Sequence, residues 1–209
     1  MSEPLSVVVM ARAPRPGRAK TRLEPLLGPE RCARLQAELI RVAVRWAGTV
    51  GRVFVAVSPR DALDEVDAPG AERFGQEGAN LGERMAAAVE RVGGPVVVIG
   101  TDMPTLGGFH ARSVRADLDA GVDAVFGPAH DGGYYMVALR QPRRDLFDLP
   151  ADAWGGPEVL ALSLARAAEA RLEVGLLRGE RDLDTPADAR ALLLHHALPP
   201  GVAAILRGQ

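Results

Sequence analysis

A single cysteine in 209 residues rules out an intramolecular disulfide as a staple of the fold. Cys32 falls on the apolar stripe of a predicted helix, where a buried structural thiol is the expected role. Four histidines carry no His-Glu-x-x-His spacing, and His195 and His196 stand side by side, so a sequence-local zinc site has no support. No apolar run approaches the roughly 20 residues that span a bilayer, and the opening "MSEP" lacks a basic region followed by a hydrophobic signal segment. The expectation is a cytoplasmic protein with no membrane partner. Positive charge is also short: 25 basic against 27 acidic residues give a net charge of -2, which excludes a general field for nucleic acid. Any anion binding must be local. There is no internal repeat and no low-complexity linker, so residues 1–209 are expected to form one globular domain, with "LPPG" at 198–201 opening a loose tail.

What the chain does have is a series of β-branched runs alternating with amphipathic stretches. "SVVVM" at 6–10, "VFVAV" at 53–57, "PVVVIG" at 95–100, "DAVFG" at 123–127, "YYMVAL" at 134–139 and "LEVGLL" at 172–177 read as strands. Cys32, Leu35, Leu39, Val42 and Trp46 recur at helical spacing, as do Met85, Val89 and Val92. Continuously apolar strands suit a mostly parallel sheet covered on both faces. The predicted class is therefore a three-layer α/β/α fold of Rossmann-like type. The two strands flanking "HDGGYY" are close in sequence and are expected to pair antiparallel.

In such a sheet, ligands bind outside the carboxyl ends of the strands, and the polar motifs follow strands. The first is "MARAPRPGRAKTRL", with five cations and no acid before Glu24. It is neither a P-loop, since Gly17 is followed by Arg18, Ala19 and Lys20, nor a dinucleotide fingerprint, since the spaced glycines are missing. Pro and Gly17 set a turn, and the cations after Ala11 and Arg12 suit a polyphosphate; the alternative is a solvated basic loop. In "GTDMP", Asp102 beside Thr101 follows a buried strand, where it suits a divalent cation shared with substrate phosphates or, alternatively, an N-cap. Asp131 offers a ligand contact, an acceptor-side base or plain turn chemistry. The glycines beside it, Gly132 and Gly133, and Gly82 in "NLGERM" would let backbone approach a ligand closely. Asp182 and Asp184 are two apart on an extended segment and call for a balancing metal or base, although Asp184 or Thr185 could instead cap the helix opened by Pro186.

Taken in order, "AKTRL" at 19–23, "NLGERM" at 80–85, "GTDMP" at 100–104, "GPAHDGGYY" at 127–135 and "DLDTPAD" at 182–188 resemble the radical-SAM/selenodomain-associated, cofactor-nucleotidyltransferase-like proteins. That family is a branch of the GT-A nucleotide-diphospho-sugar transferase fold. It is related to the 2-phospho-L-lactate guanylyltransferases and, more distantly, to the molybdenum-cofactor nucleotidyltransferases. The match covers about residues 5–194. It implies that Lys20 and Arg22 clamp nucleotide phosphates, that Asp102 holds Mg²⁺ (or Mn²⁺), and that Asp182 and Asp184 complete the metal site. Trp154-Gly155-Gly156 departs from the family's Trp-Ser-Thr, and the DxD of many sugar transferases is absent. Two enzyme readings follow. One is transfer of NMP from an NTP to a small phosphorylated acceptor with release of pyrophosphate. The other is glycosyl transfer from a nucleotide-sugar, with Asp131 as base. A non-catalytic nucleotide-binding protein is the third reading.

Overall fold

The computed structural model describes residues 4–208. Seven strands, β1 (Ser6–Arg12), β2 (Arg52–Ser58), β3 (Glu72–Gly75), β4 (Val96–Ile99), β5 (Ala124–Pro128), β6 (Tyr134–Leu139) and β7 (Val174–Leu176), form one sheet in the order β3-β2-β1-β4-β6-β5-β7. β6 runs antiparallel to β4 and β5, whereas the remaining pairings are parallel. The antiparallel exception follows from chain length, since the short turn between β5 and β6 cannot make a parallel crossover. The helices are α1 (Glu24–Leu27), α2 (Pro29–Val50), α3 (Leu81–Val92), α4 (Gly108–Asp119), α5 (Val159–Glu169), α6 (Pro186–Leu192) and α7 (Pro200–Leu206).

Strand alternation sends successive side chains to opposite faces, and both faces are covered. Val7, Val9, Val55 and Ile99 pack with Ile40 and Ala47 of α2 and Val114 of α4. Val8, Phe54, Val98 and Phe126 pack with Met85 and Val89 of α3 and Ala167 of α5. This is the three-layer α/β architecture that the continuous apolar strands imply. A third cluster, with Leu23, Cys32, Leu35 and Leu39 against Leu183, Leu192 and Val202, fastens the loop after β1 and the C-terminal helices to α2. Cys32 is buried there, and burial raises its thiol above the usual range, as an inert structural cysteine requires.

Two expectations change. β3 is an edge strand with Glu72 and Arg73 exposed and only Phe74 buried, so it carries no apolar run to reveal it. The segment after "LPPG" is not a loose tail: it forms α7, whose Val202 and Leu206 are buried against α2. Among the described residues no helix is long and apolar enough to cross a membrane.

Candidate active site

β1 has β2 on one side and β4 on the other, so the chain runs outward from β1 through β2 and β3 and then crosses back to β4 on its far side. A crevice opens outside the carboxyl ends at such a point. A cavity of about 580 Å³ lies there, within the range of about 300–1,000 Å³ typical of ligand sites. The ends of β1, β2, β3 and β4 form its floor. The β5–β6 turn, Trp154 and the segment after β7 close the other side.

The floor is organised around Asp102. Lys20, held at φ 54°, turns its side chain inward until it is only 4% exposed. Its Nζ lies 2.8 Å from Asp102 Oδ1 and also donates to the Leu183 carbonyl. An ammonium has three hydrogens, so one remains for a ligand. Thr101 Oγ1 donates to the same Asp102 oxygen at 3.0 Å and itself accepts from Gln36 Nε2 at 3.2 Å. Asp102 caps no helix, because α4 begins at Gly108 with Gly107 as its N-cap.

The segment carrying Asp182 and Asp184 is placed by backbone. Leu177 N–H donates to Phe126, Glu180 N–H to Pro128, His130 N–H to Glu180 and Leu183 N–H to Asp102. Beneath it, buried His110 accepts from Gly107 N–H at Nδ1, which leaves Nε2–H to donate to Glu180 at 3.2 Å. Thr185 and Asp188 make the capping box of α6, which releases Asp184 from that task. Asp184 instead meets Arg22 at 2.5 Å in a largely exposed pair that contributes little to stability. Asp182 faces inward. Burial, followed by repulsion from Asp131 and then from Asp102 and Asp188, pushes its carboxyl up to about 6.

Of the residues that sequence reasoning singled out, Ala11, Arg12, Lys20, Arg22, Thr101, Asp102, Asp131, Gly133, Asp182 and Asp184 line this one cavity. Asp131 also does the turn chemistry, accepting from Gly133 N–H at 3.0 Å. Three glycines do other work and do not line the cavity. A Cβ on Gly82 would stand 2.4 Å from the Trp154 ring and 2.5 Å from the Phe147 carbonyl, so Gly82 serves packing and not ligand approach. A Cβ on Gly132 would stand 2.0 Å from the Pro157 carbonyl. Gly17, at φ 68°, only makes the turn. Arg15 also leaves the cluster, pairing with Glu65 on the surface. Arg18 of the cationic loop and Trp154 line it as well, and so do Gln36, Gln76 and Arg84, to which sequence reasoning gave no ligand role. Gln36 was visible in principle, as a polar side chain inside the stripe of Cys32, Leu35 and Leu39.

The predicted metal set is not assembled as three ligands. Among the described residues no group of three or more His, Cys, Asp or Glu side chains could hold an ion. Asp184 is turned to Arg22, which leaves Asp102 and Asp182. These are hard oxygen donors, and the burial and, after it, the acid crowding that keep Asp182 protonated to higher pH are what a divalent cation would offset. Two carboxylates plus substrate phosphates are a usual Mg²⁺ environment, so the residues fit such an ion.

Several solved structures share this fold. A candidate nucleotide-diphospho-sugar transferase from Desulfovibrio desulfuricans G20 superposes with a TM-score of 0.87 at 29% identity, over 100% of this chain and 95% of its own. CMP:2-keto-3-deoxy-manno-octonic acid synthetase complexed with CTP superposes at 0.59 and 15% identity, over 91% and 97%. Rv0371c of Mycobacterium tuberculosis H37Rv, in complex with manganese, superposes at 0.56 and 16% identity, over 91% and 98%. The fold is thus of the nucleotide-diphospho-sugar transferase type. No curated protein matches the sequence. A family profile matches residues 33–155, more than half of the sequence, and the chain therefore belongs to the family described as "Uncharacterized protein conserved in bacteria", DUF2064.

Proposed function

We propose that this protein is a Mg²⁺- or Mn²⁺-dependent nucleotidyltransferase that moves NMP from an NTP to a small phosphorylated acceptor. The observation that carries the reading is the convergence of cations from the β1 loop and carboxylates from the β4 and β7 loops on one cavity. Among the described residues Arg12 and Arg18 line it without any carboxylate partner, and Lys20 keeps one N–H to spare, a donor set suited to a polyphosphate. An acceptor phosphate oxygen attacks the α-phosphorus, the bond from that phosphorus to the bridging oxygen breaks, and pyrophosphate departs with the electron pair. An anionic acceptor needs no general base. A divalent ion held by Asp102 and Asp182 would supply charge neutralisation on the phosphoryl oxygens. Lys20 holds the Asp102 carboxylate in place and orients one ammonium hydrogen toward the leaving phosphates, while Arg18 and Arg12 bind them. Arg22 reaches the same phosphates only by leaving Asp184. The CTP and manganese complexes of the structural relatives are in keeping with this assignment.

Glycosyl transfer is the second reading, favoured by the exposed Asp131 carboxylate in the cavity and by the nucleotide-diphospho-sugar transferase likeness. A thermal-shift panel of NTPs and nucleotide-sugars with Mg²⁺ separates ligand classes, because a ligand of the native state raises the melting temperature by mass action. Acceptor-dependent pyrophosphate release then supports nucleotidyl transfer. NDP release from a nucleotide-sugar overturns it in favour of glycosyl transfer, and binding without turnover would leave a nucleotide-binding protein.

A further inference from the structure

Gln36 is a polar side chain buried to 3% exposure on the apolar face of α2, and packing alone gives no reason for an amide there. Burying it unpartnered would be costly, and both of its hydrogens are used. Nε2 donates to the Arg12 carbonyl at 3.2 Å and to Thr101 Oγ1 at 3.2 Å. Because an amide nitrogen can only donate, the Thr101 oxygen must accept from it, and the single hydroxyl hydrogen is left for Asp102 Oδ1 at 3.0 Å. The chain of bonds therefore runs one way, from Gln36 N–H through Thr101 O–H to the Asp102 carboxylate. Lys20 Nζ approaches the same Oδ1 at 2.8 Å. Among the described hydrogen bonds Oδ2 accepts none, while the Asp102 side chain remains 47% exposed to the cavity.

We propose that Gln36 is a positioning residue that acts through Thr101 to saturate one oxygen of Asp102, so that the other is presented to a divalent cation. The inference rests on the reading of Asp102 as a cation ligand. It adds that α2, which holds no ligand itself, sets the orientation and so the affinity of the site. Outer partners of a ligating carboxylate typically change metal affinity by about 10- to 100-fold. The competing role is purely mechanical: Gln36 ties α2 to the ends of β1 and β4, and its loss lowers stability alone.

Electron paramagnetic resonance titration of the full chain with Mn²⁺ separates the two. Thr101→Val keeps the shape of the side chain and removes its donor, whereas Thr101→Ser keeps the donor. Gln36→Glu replaces the amide donor with an acceptor and draws the Thr101 hydrogen away from Asp102. Thr101→Val and Gln36→Glu are expected to weaken Mn²⁺ binding about tenfold or more, with Thr101→Ser close to the parent. Parent-like Mn²⁺ affinity in both Thr101→Val and Gln36→Glu, with melting temperatures confirming that they fold, would overturn the positioning role while leaving Asp102 as a ligand. A parent chain that takes up no Mn²⁺ would overturn both the inference and the reading beneath it.

Discussion

The loop after β1 and the segment after β7 bring opposite charges to the same cavity, and the fold fixes them by opposite means. The cationic loop is held by its own side chains: Lys20 bonds Asp102 and the Leu183 carbonyl, Arg12 bonds the Arg18 carbonyl at 3.2 Å, and Leu23 sinks into the core. The acidic segment is held by backbone bonds to β5 and to Asp102, with the capping box of α6 behind it, so the Asp182 carboxylate is not needed for its placement. Each side is left with a surplus. Arg12 and Arg18 lack carboxylates among the described residues, and Asp182 is surrounded by other acids with no cation of its own. A ligand that carries both phosphates and a divalent cation satisfies both surpluses at once.

The largest break in this comparison should come from Asp102→Asn, because Asp102 is the point where the two loops meet. Metal-dependent turnover should fall by roughly 10² or more, the scale of losing one preorganised electrostatic element, while metal-free nucleotide binding changes little. A steady-state assay alongside calorimetry checks both parts. Lys20→Ala should weaken NTP binding far more than NMP binding and also lower the melting temperature, since the Leu183 carbonyl loses its partner. Arg18→Ala should reproduce the binding loss with no change in melting temperature, because the Arg18 side chain is exposed and makes no bond among the described residues, while its carbonyl, which accepts from Arg12, is kept.

Gly82→Val tests a part of the site that lies outside both loops. Its new side chain meets Trp154 and a backbone carbonyl, so about 1–3 kcal/mol of stability should be lost, with nucleotide affinity of the folded fraction nearly intact. Chemical denaturation read beside calorimetry would show the reverse if this turn touched the ligand.

The acidic surplus has a pH signature. The Asp182 carboxyl stands near 6 in the folded chain against 3.8 ordinarily, so between those values the folded state holds a proton that the unfolded chain has released. This group therefore contributes stability at low pH and loses it as pH rises through about 6. Asp182→Asn should raise the metal-free melting temperature at pH 7.5 and leave it little changed near pH 4. The smallest effect belongs to Arg15→Ala: its pair with Glu65 is exposed and outside the cavity, so the melting temperature and NTP affinity should stay at the parent's values.

The strands buried on both faces were legible because their apolar runs are continuous, and the strand-end loops followed from that topology. β3 was not, since an edge strand with exposed Glu72 and Arg73 has no pattern to read. Lys20, Asp102 and Asp182 could be assigned to one cleft from their positions after strands. Their pairing could not, because whether Asp184 faces a metal or Arg22 depends on a contact 162 residues away in sequence. The neighbour of Gly82 is hidden for a related reason: a glycine needed for a close approach looks the same in sequence whether it faces a ligand or Trp154.

Calorimetric titration of the parent chain with one NTP and its NMP, each with and without Mg²⁺, tests most directly whether the two surpluses are matched by one ligand. Mg²⁺ should strengthen NTP binding markedly and NMP binding little, and Lys20→Ala and Asp102→Asn should each abolish that difference. Equal affinity for NTP and NMP, unaffected by Mg²⁺ in the parent, would contradict the account and leave the cationic loop a solvated surface.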